Sequence, residues 1–134
     1  MNRLKADKFE LLIDAEIYDR DLSYEENTAL NLELTSYGFS VKTTLDADIR
    51  RVAAFARDIM TMYVTLKGSA TLDEPYGDRF IDFRMTPLGR VQVKGELSDY
   101  SMGYSHEMKF ENEFDQTYLK EFAEGLIEKY GKYL

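Results

Sequence analysis

Apolar and polar positions alternate along much of the chain. Phe9, Leu11, Ile13, Ala15 and Ile17 share one side of an extended segment, with Glu10, Asp14 and Glu16 opposite. A period of two marks a strand with one buried face, so the spacing predicts a strand over 9–18. Residues 19–27 are mostly polar and read as a loop. The alternation resumes at Leu30, Leu32 and Leu34, breaks at Ser36-Tyr37-Gly38, and continues through Phe39, Val41, Thr43 and Leu45. This predicts a hairpin that turns at Gly38.

At Asp46 the period lengthens to about 3.6 residues. Ile49, Val52, Ala56, Ile59, Met60 and Tyr63 fall on one stripe; Arg50, Arg51, Arg57 and Asp58 fall opposite. The spacing predicts an amphipathic helix, with Asp46 as N-cap, Asp48 favouring the helix dipole and Gly68 as the stop. A short strand over 69–72 is expected next, then a loop over 73–78, then strands over 80–85, 90–97 and 104–110. Thr86-Pro87-Leu88-Gly89 has the chemistry of a type I turn closed by a left-handed glycine. Gly95 interrupts the inward row of its strand, which predicts a bulge or a close approach to a helix. The last helix is expected to start at Asp115, with Phe114 and Leu119 in staple positions. Gly125 inside it implies either a close neighbour or a tolerated weakness. No internal repeat or low-complexity segment is evident. The expected architecture is a single α+β domain over 1–134. It would hold a curved antiparallel sheet of seven strands with two helices on one face, in the order β-β-β-α-β-β-β-β-α.

The 134 residues carry a net charge of −8, no cysteine and one histidine. Without cysteine there is neither a disulfide nor a thiolate nucleophile. Nucleic-acid affinity comes largely from Lys and Arg on phosphate, so an acidic chain argues against direct binding to DNA or RNA. No apolar run approaches a membrane span. The N-terminus lacks the apolar stretch of a signal peptide, which makes the cytoplasm the expected location.

His106 sits in Ser105–Leu119 among several carboxylates. On a strand it would project with Tyr104, Met108 and Phe110, and Glu107 would project the other way. One histidine supplies one metal ligand, whereas zinc sites take three or four His, Cys or carboxylate groups. There is no DxDxDG loop, no GxSxG elbow and no HExxH. Glu25-Glu26 and Asp73-Glu74 are carboxylate pairs in polar loops, where solvation keeps an acid ordinary. The sequence therefore points to no catalytic residue, no metal ligand and no cofactor.

Surface chemistry remains. Acid is dense from Asp14 to Glu26, with Tyr18 and Tyr24 among the carboxylates and Arg20 the only base. Asp73, Glu74, Tyr76 and Asp78 form a second patch. Tyrosine beside carboxylate suits a basic protein partner, through rigid aromatic area and charge-assisted bonds to Lys and Arg. The candidate partner-binding residues are Asp19, Asp21, Tyr24, Glu25, Glu26, Asp73, Glu74, Tyr76 and Asp78.

The segment from Gly89 to Leu97, GRVQVKGEL, the alternating strand after it and Asp115-Gln116-Thr117-Tyr118-Leu119 resemble the C-terminal half of the WapI-type immunity proteins of bacteria. The family's second strand often carries a tryptophan, where Ala29-Leu30 stands here. The resemblance spans most of the chain. It implies a hairpin, a helix, four strands and a last helix, and a non-catalytic cytosolic protein that blocks the active site of a cognate toxin. Such toxins are often nucleases with basic clefts. The family pattern marks fold residues, so the contact residues above come from the acidic loops alone. Two other readings stay open. One is a carrier holding a small apolar ligand among Phe83, Tyr104, Phe110 and Phe122. The other is a hydrolase built on loop carboxylates and a metal.

Overall fold

The computed structural model describes residues 1–134. It contains eight strands: β1 (Asn2–Ala6), β2 (Phe9–Ile17), β3 (Thr28–Ser36), β4 (Phe39–Ala47), β5 (Ser69–Asp73), β6 (Phe80–Met85), β7 (Arg90–Ser101) and β8 (Tyr104–Asp115). Helix α1 (Ile49–Thr65) joins β4 to β5, and α2 (Leu119–Tyr130) follows β8 through a 3-10 turn at Gln116–Tyr118. The fold class is α+β. The expected single curved sheet of seven strands is replaced by two four-stranded antiparallel meanders, β1-β2-β3-β4 and β5-β6-β7-β8. The additional strand is β1, whose only buried apolar residues are Leu4 and Ala6.

Each meander is followed by a helix, so the chain is β-β-β-β-α repeated. The sequence carries this repeat, contrary to the expectation of none. Ser36-Tyr37-Gly38-Phe39-Ser40 matches Ser101-Met102-Gly103-Tyr104-Ser105. Counting from Asp48 and from Asp115, the fourth residue is Val52 or Leu119, the seventh and eighth are Phe-Ala (55–56, 122–123), the eleventh is Ile59 or Leu126, and the fifteenth is Tyr63 or Tyr130. Contacts between the halves recur in matched pairs. Helix α1 lies on β5 and α2 on β1; β3 approaches β8 and β4 approaches β7; the two helices pack together. One apolar cluster of 31 buried residues fills both units and joins them. Its centre is aromatic: Phe9 stacks on Phe114 at 5.8 Å, Phe55 lies 5.7 Å from Phe83, and Phe55 meets Phe122 edge-on at 6.4 Å.

Four local expectations change. Helix α1 stops before Gly68: Leu66 takes the left-handed conformation, with φ of 57°. The cap of α1 is Asp48, not Asp46: β4 stays paired through Ala47, opposite Thr28, and Asp48 accepts the Arg50 N–H at 3.0 Å. Asp115 does cap its turn, accepting the Thr117 N–H at 3.1 Å, but the turn is 3-10 and α2 begins at Leu119. Gly95 makes no bulge, since its register to Ile81 and Phe110 is unbroken. Its missing side chain makes room for strands rather than a helix: a Cβ there would meet the Phe80 carbonyl at 2.4 Å and the Phe110 ring at 2.6 Å. Gly125 does serve a close approach, with the Asn2 side chain 2.7 Å from where its Cβ would stand.

The β3–β4 hairpin turns at Gly38 as the sequence predicts, and the β7–β8 hairpin turns the same way at Gly103. Tyr37 and Gly38 have φ of 51° and 89°, and Met102 and Gly103 have 55° and 83°, the signs of a two-residue type I′ turn. The β7–β8 hairpin is longer, with twelve-residue strands against nine in β3 and β4. Pairing of β7 with β6 ends at Glu96. Beyond Leu97 the hairpin therefore stands clear of its sheet, and Tyr104 and His106, expected on an apolar row, are exposed.

Candidate functional site

Antiparallel connectivity sends alternate loops to opposite ends of the molecule. The β2–β3 loop, the β4–α1 junction, the β5–β6 loop and the β7–β8 tip share one end. Asn27, invisible as a site residue in the sequence, organises it. The side chain is fully buried. Its Oδ1 accepts the Ile49 N–H at 2.9 Å and the Thr28 hydroxyl at 2.7 Å, so it satisfies a free donor at the start of α1. Its Nδ2 donates to the Tyr24 carbonyl at 2.9 Å and to Asp48 at 3.2 Å. Its carbonyl accepts the Tyr18 and Asp19 N–H groups. The acidic loop is thereby bolted to the helix start. Burial would raise the Asp48 pKa, but bonds from Arg50 and Asn27 outweigh it, and the carboxyl lies below the usual range.

The second loop is fastened differently. Glu74 and Arg79 form a mostly buried pair, Oε2 to Nη2 at 2.8 Å and Oε1 to Nε at 3.0 Å. The bonds from Arg79 hold the Glu74 pKa down against the opposing effect of burial. Arg79 also donates to the Ser98 carbonyl at the base of the long hairpin, at 3.3 Å. Asp73 is occupied by Arg51 of α1 at 2.8 Å.

These anchors sort the nine candidates. Asp73 and Glu74 are committed to arginines. Asp19 and Asp21 shape their own loop: Asp19 accepts the Asp21 N–H at 2.9 Å, and Asp21 accepts the Ser23 hydroxyl at 2.6 Å. The Ser23 bonds also lower the Asp21 pKa. Tyr24, Glu25, Glu26, Tyr76 and Asp78 face solvent. The two loops meet where Tyr76 stands beside Glu25; the charge of Glu25, then its capacity as an acceptor, raises the phenol pKa, with Glu26 adding to it. Two residues outside the nine belong to the same face. Asp46 accepts the Tyr18 hydroxyl at 3.4 Å, and Asp99 lies close enough to Arg79 to act on its charge. Asp14 departs from the patch, pairing with Lys129 of α2 at 3.0 Å.

The result is an acidic face on which every nearby arginine is paired except Arg20, which is exposed and in no salt bridge. Arg50 is taken by Asp48, Arg51 by Asp73 and Arg79 by Glu74. Glu25, Glu26, Asp46 and Asp99 make no salt bridge, although Glu25 acts on the charge of Arg50 and Asp46 and Asp99 on that of Arg79; they stand beside exposed Tyr18, Tyr24 and Tyr76. No three His, Cys, Asp or Glu side chains converge as metal ligands. Phe83, Phe110 and Phe122, proposed above to line a ligand cavity, pack into the aromatic core, and Tyr104 lies outside it. A groove of about 620 Å³ lies on the outer face of the second sheet among Asp82, Arg84, Arg90, Gln92 and Glu113, a polar lining of mixed sign.

No protein-family model matches the chain, and neither a curated protein nor a solved structure matches it. No helix is long and apolar enough to cross a membrane.

Proposed function

We propose that this protein works by binding a basic protein through the acidic end of the fold, as an immunity protein that occupies the active-site cleft of a cognate toxin. One observation carries the reading: loops from both halves converge so that Glu25 and Glu26 stand beside Tyr76, neither of them in a salt bridge. Unpaired carboxylates are repelled by nucleic acid but attract a cleft lined with Lys and Arg. The tyrosines add rigid contact area at low entropic cost. Two loop anchors, Asn27 and the Glu74–Arg79 pair, hold the face in place before binding, which limits the ordering cost on association. The likeness of Gly89–Leu97 and Asp115–Leu119 to the WapI-type immunity proteins gives the partner its class.

The reading predicts a toxic domain encoded beside this chain, and the test is co-expression with that domain, together with a binding measurement on the purified pair. The reading predicts rescued growth and a nanomolar complex. Failure of the pair to associate, with no rescue, would falsify it.

A further inference from the structure

The second β-β-β-β-α unit differs from the first chiefly in its last hairpin. The fold needs only the shorter version, since β3 and β4 close the first unit with nine residues each. The extra length of β7 and β8 adds nothing to the core. Every residue from Ser98 to Glu107 is exposed, with Tyr100 at 73%, Met102 at 93% and Tyr104 at 71%. Three large apolar side chains at the projecting tip of the hairpin are left uncovered by the rest of the molecule. They also lie at the acidic end. The hairpin base is tied to the β5–β6 loop by the bond from Arg79 to the Ser98 carbonyl, and Asp99 lies within electrostatic reach of that arginine.

We infer that the β7–β8 hairpin is an insertion finger: Tyr100, Met102 and Tyr104 enter the cleft of the basic partner while Asp99, Glu25, Glu26 and Asp46 meet the Lys and Arg residues around its mouth. The charge selects the occupant. A tip of this composition flanked by unpaired carboxylates fits a cationic protein cleft. A second copy of this acidic chain would bring like charges together, and an anionic membrane surface would repel it. The type I′ turn at Met102-Gly103 and the cross-strand pairs Tyr100–Ser105 and Ser101–Tyr104 keep the finger extended without a partner.

The inference rests on the proposed binding role, and the experiment separates the two. The probe is the catalytically inactivated toxic domain encoded beside this chain, titrated against three versions of the full protein. These are the wild type, Tyr100→Ser/Met102→Ser/Tyr104→Ser, and Leu88→Ser as a control at the opposite end. All three substituted finger positions are exposed, so unchanged thermal unfolding is expected and is checked. Aromatic and Met anchors in a filled cleft carry much of an interface, so the finger variant should bind more than about thirtyfold weaker, with Leu88→Ser unaffected. In the wild-type complex, the amides of 99–106 should exchange more slowly than in the free protein. If the wild type binds and the finger variant matches it to within about threefold, the finger is not the contact and the binding role survives. If the wild type does not bind, both fall. Concentration-dependent self-association of the wild type that the finger variant abolishes would reassign the tip to a second copy and overturn the inference.

Discussion

Phe55 and Phe122 meet edge to face, ring centroids 6.4 Å apart and planes at 74°. Each is the seventh residue after an aspartate that caps the start of its own helical segment, and each belongs to a different half of the chain. The two halves are therefore joined through equivalent residues. Both rings are buried to 2% exposure or less. Truncating either one to alanine should cost about 3–5 kcal/mol through lost burial and a cavity. The double variant should show a coupling of about 0.5–1.5 kcal/mol beyond additivity, the share owed to the ring pair. Urea unfolding of the two single variants and the double variant measures both.

The same relationship predicts how the halves behave when cut. Lys67 and Gly68 are exposed between α1 and β5, so a break there severs no buried segment. Yet α1 lies on β5 and α2 on β1, so each half leaves a helix and an edge strand uncovered. Fragments 1–67 and 68–134 should each lack a cooperative thermal transition, and an equimolar mixture should recover one. Calorimetry of the three samples tests this.

Gly95 sets a steric limit where three strands meet. Alanine would place a methyl 2.4 Å from the Phe80 carbonyl and 2.6 Å from the Phe110 ring. The ring has freedom to move; the backbone oxygen of a paired strand has little. Gly95→Ala should destabilise by about 1–3 kcal/mol, and adding Phe110→Leu should not restore it. Thermal unfolding of both variants decides.

The Glu74–Arg79 pair makes stability depend on pH. Hydrogen bonds from Arg79 depress the folded pKa of Glu74 below its ordinary 4.5, against the opposing effect of burial. A group with a depressed folded pKa stabilises above its unfolded value and loses that contribution as pH falls through the folded one. Stability should therefore drop below about pH 4.5, and Glu74→Gln should flatten the drop. At neutral pH the same change should cost about 1–3 kcal/mol, because Arg79 keeps a partner but loses its counter-charge. Denaturant midpoints from pH 7 downward follow both effects.

Much of this fold was legible because alternation and helical spacing report burial directly. The strands at Phe9–Ile17 and Phe80–Met85 and the stripe of α1 follow from them. Strand β1 escaped because Leu4 and Ala6 are the only apolar residues on its inward face, with polar Asn2 as the third, too few to set a period. Alternation says which face of a strand is buried and not which sheet owns it, so two meanders were read as one sheet. The repeat escaped because the halves share the helix-core spacing and one turn motif, while their strand surfaces differ in almost every residue. Asp46 is the expected cap and Asp48 takes the role instead, because the helix start depends on how far β4 stays paired to β3, which spacing along one strand does not report. In the candidate site, the acidic and tyrosine composition was visible from the start. That Glu25 adjoins Tyr76, that Arg51 and Arg79 take up Asp73 and Glu74, and that Asn27 fastens the loop to α1 all follow from tertiary placement. Only the Ser-x-Gly-aromatic-Ser motif at 101–105 could have drawn the eye to the finger.

The central claim is that unpaired negative charge at one end of the fold recruits a basic protein. The association rate with the toxic domain that the proposed function expects to be encoded beside this chain, followed as salt is raised, tests it most directly. The account predicts fast association at low salt that slows by about tenfold or more between roughly 20 mM and roughly 200 mM, and a much weaker dependence for Glu25→Lys/Glu26→Lys. No association at micromolar concentration, or a rate that neither salt nor the charge reversal alters, would contradict it.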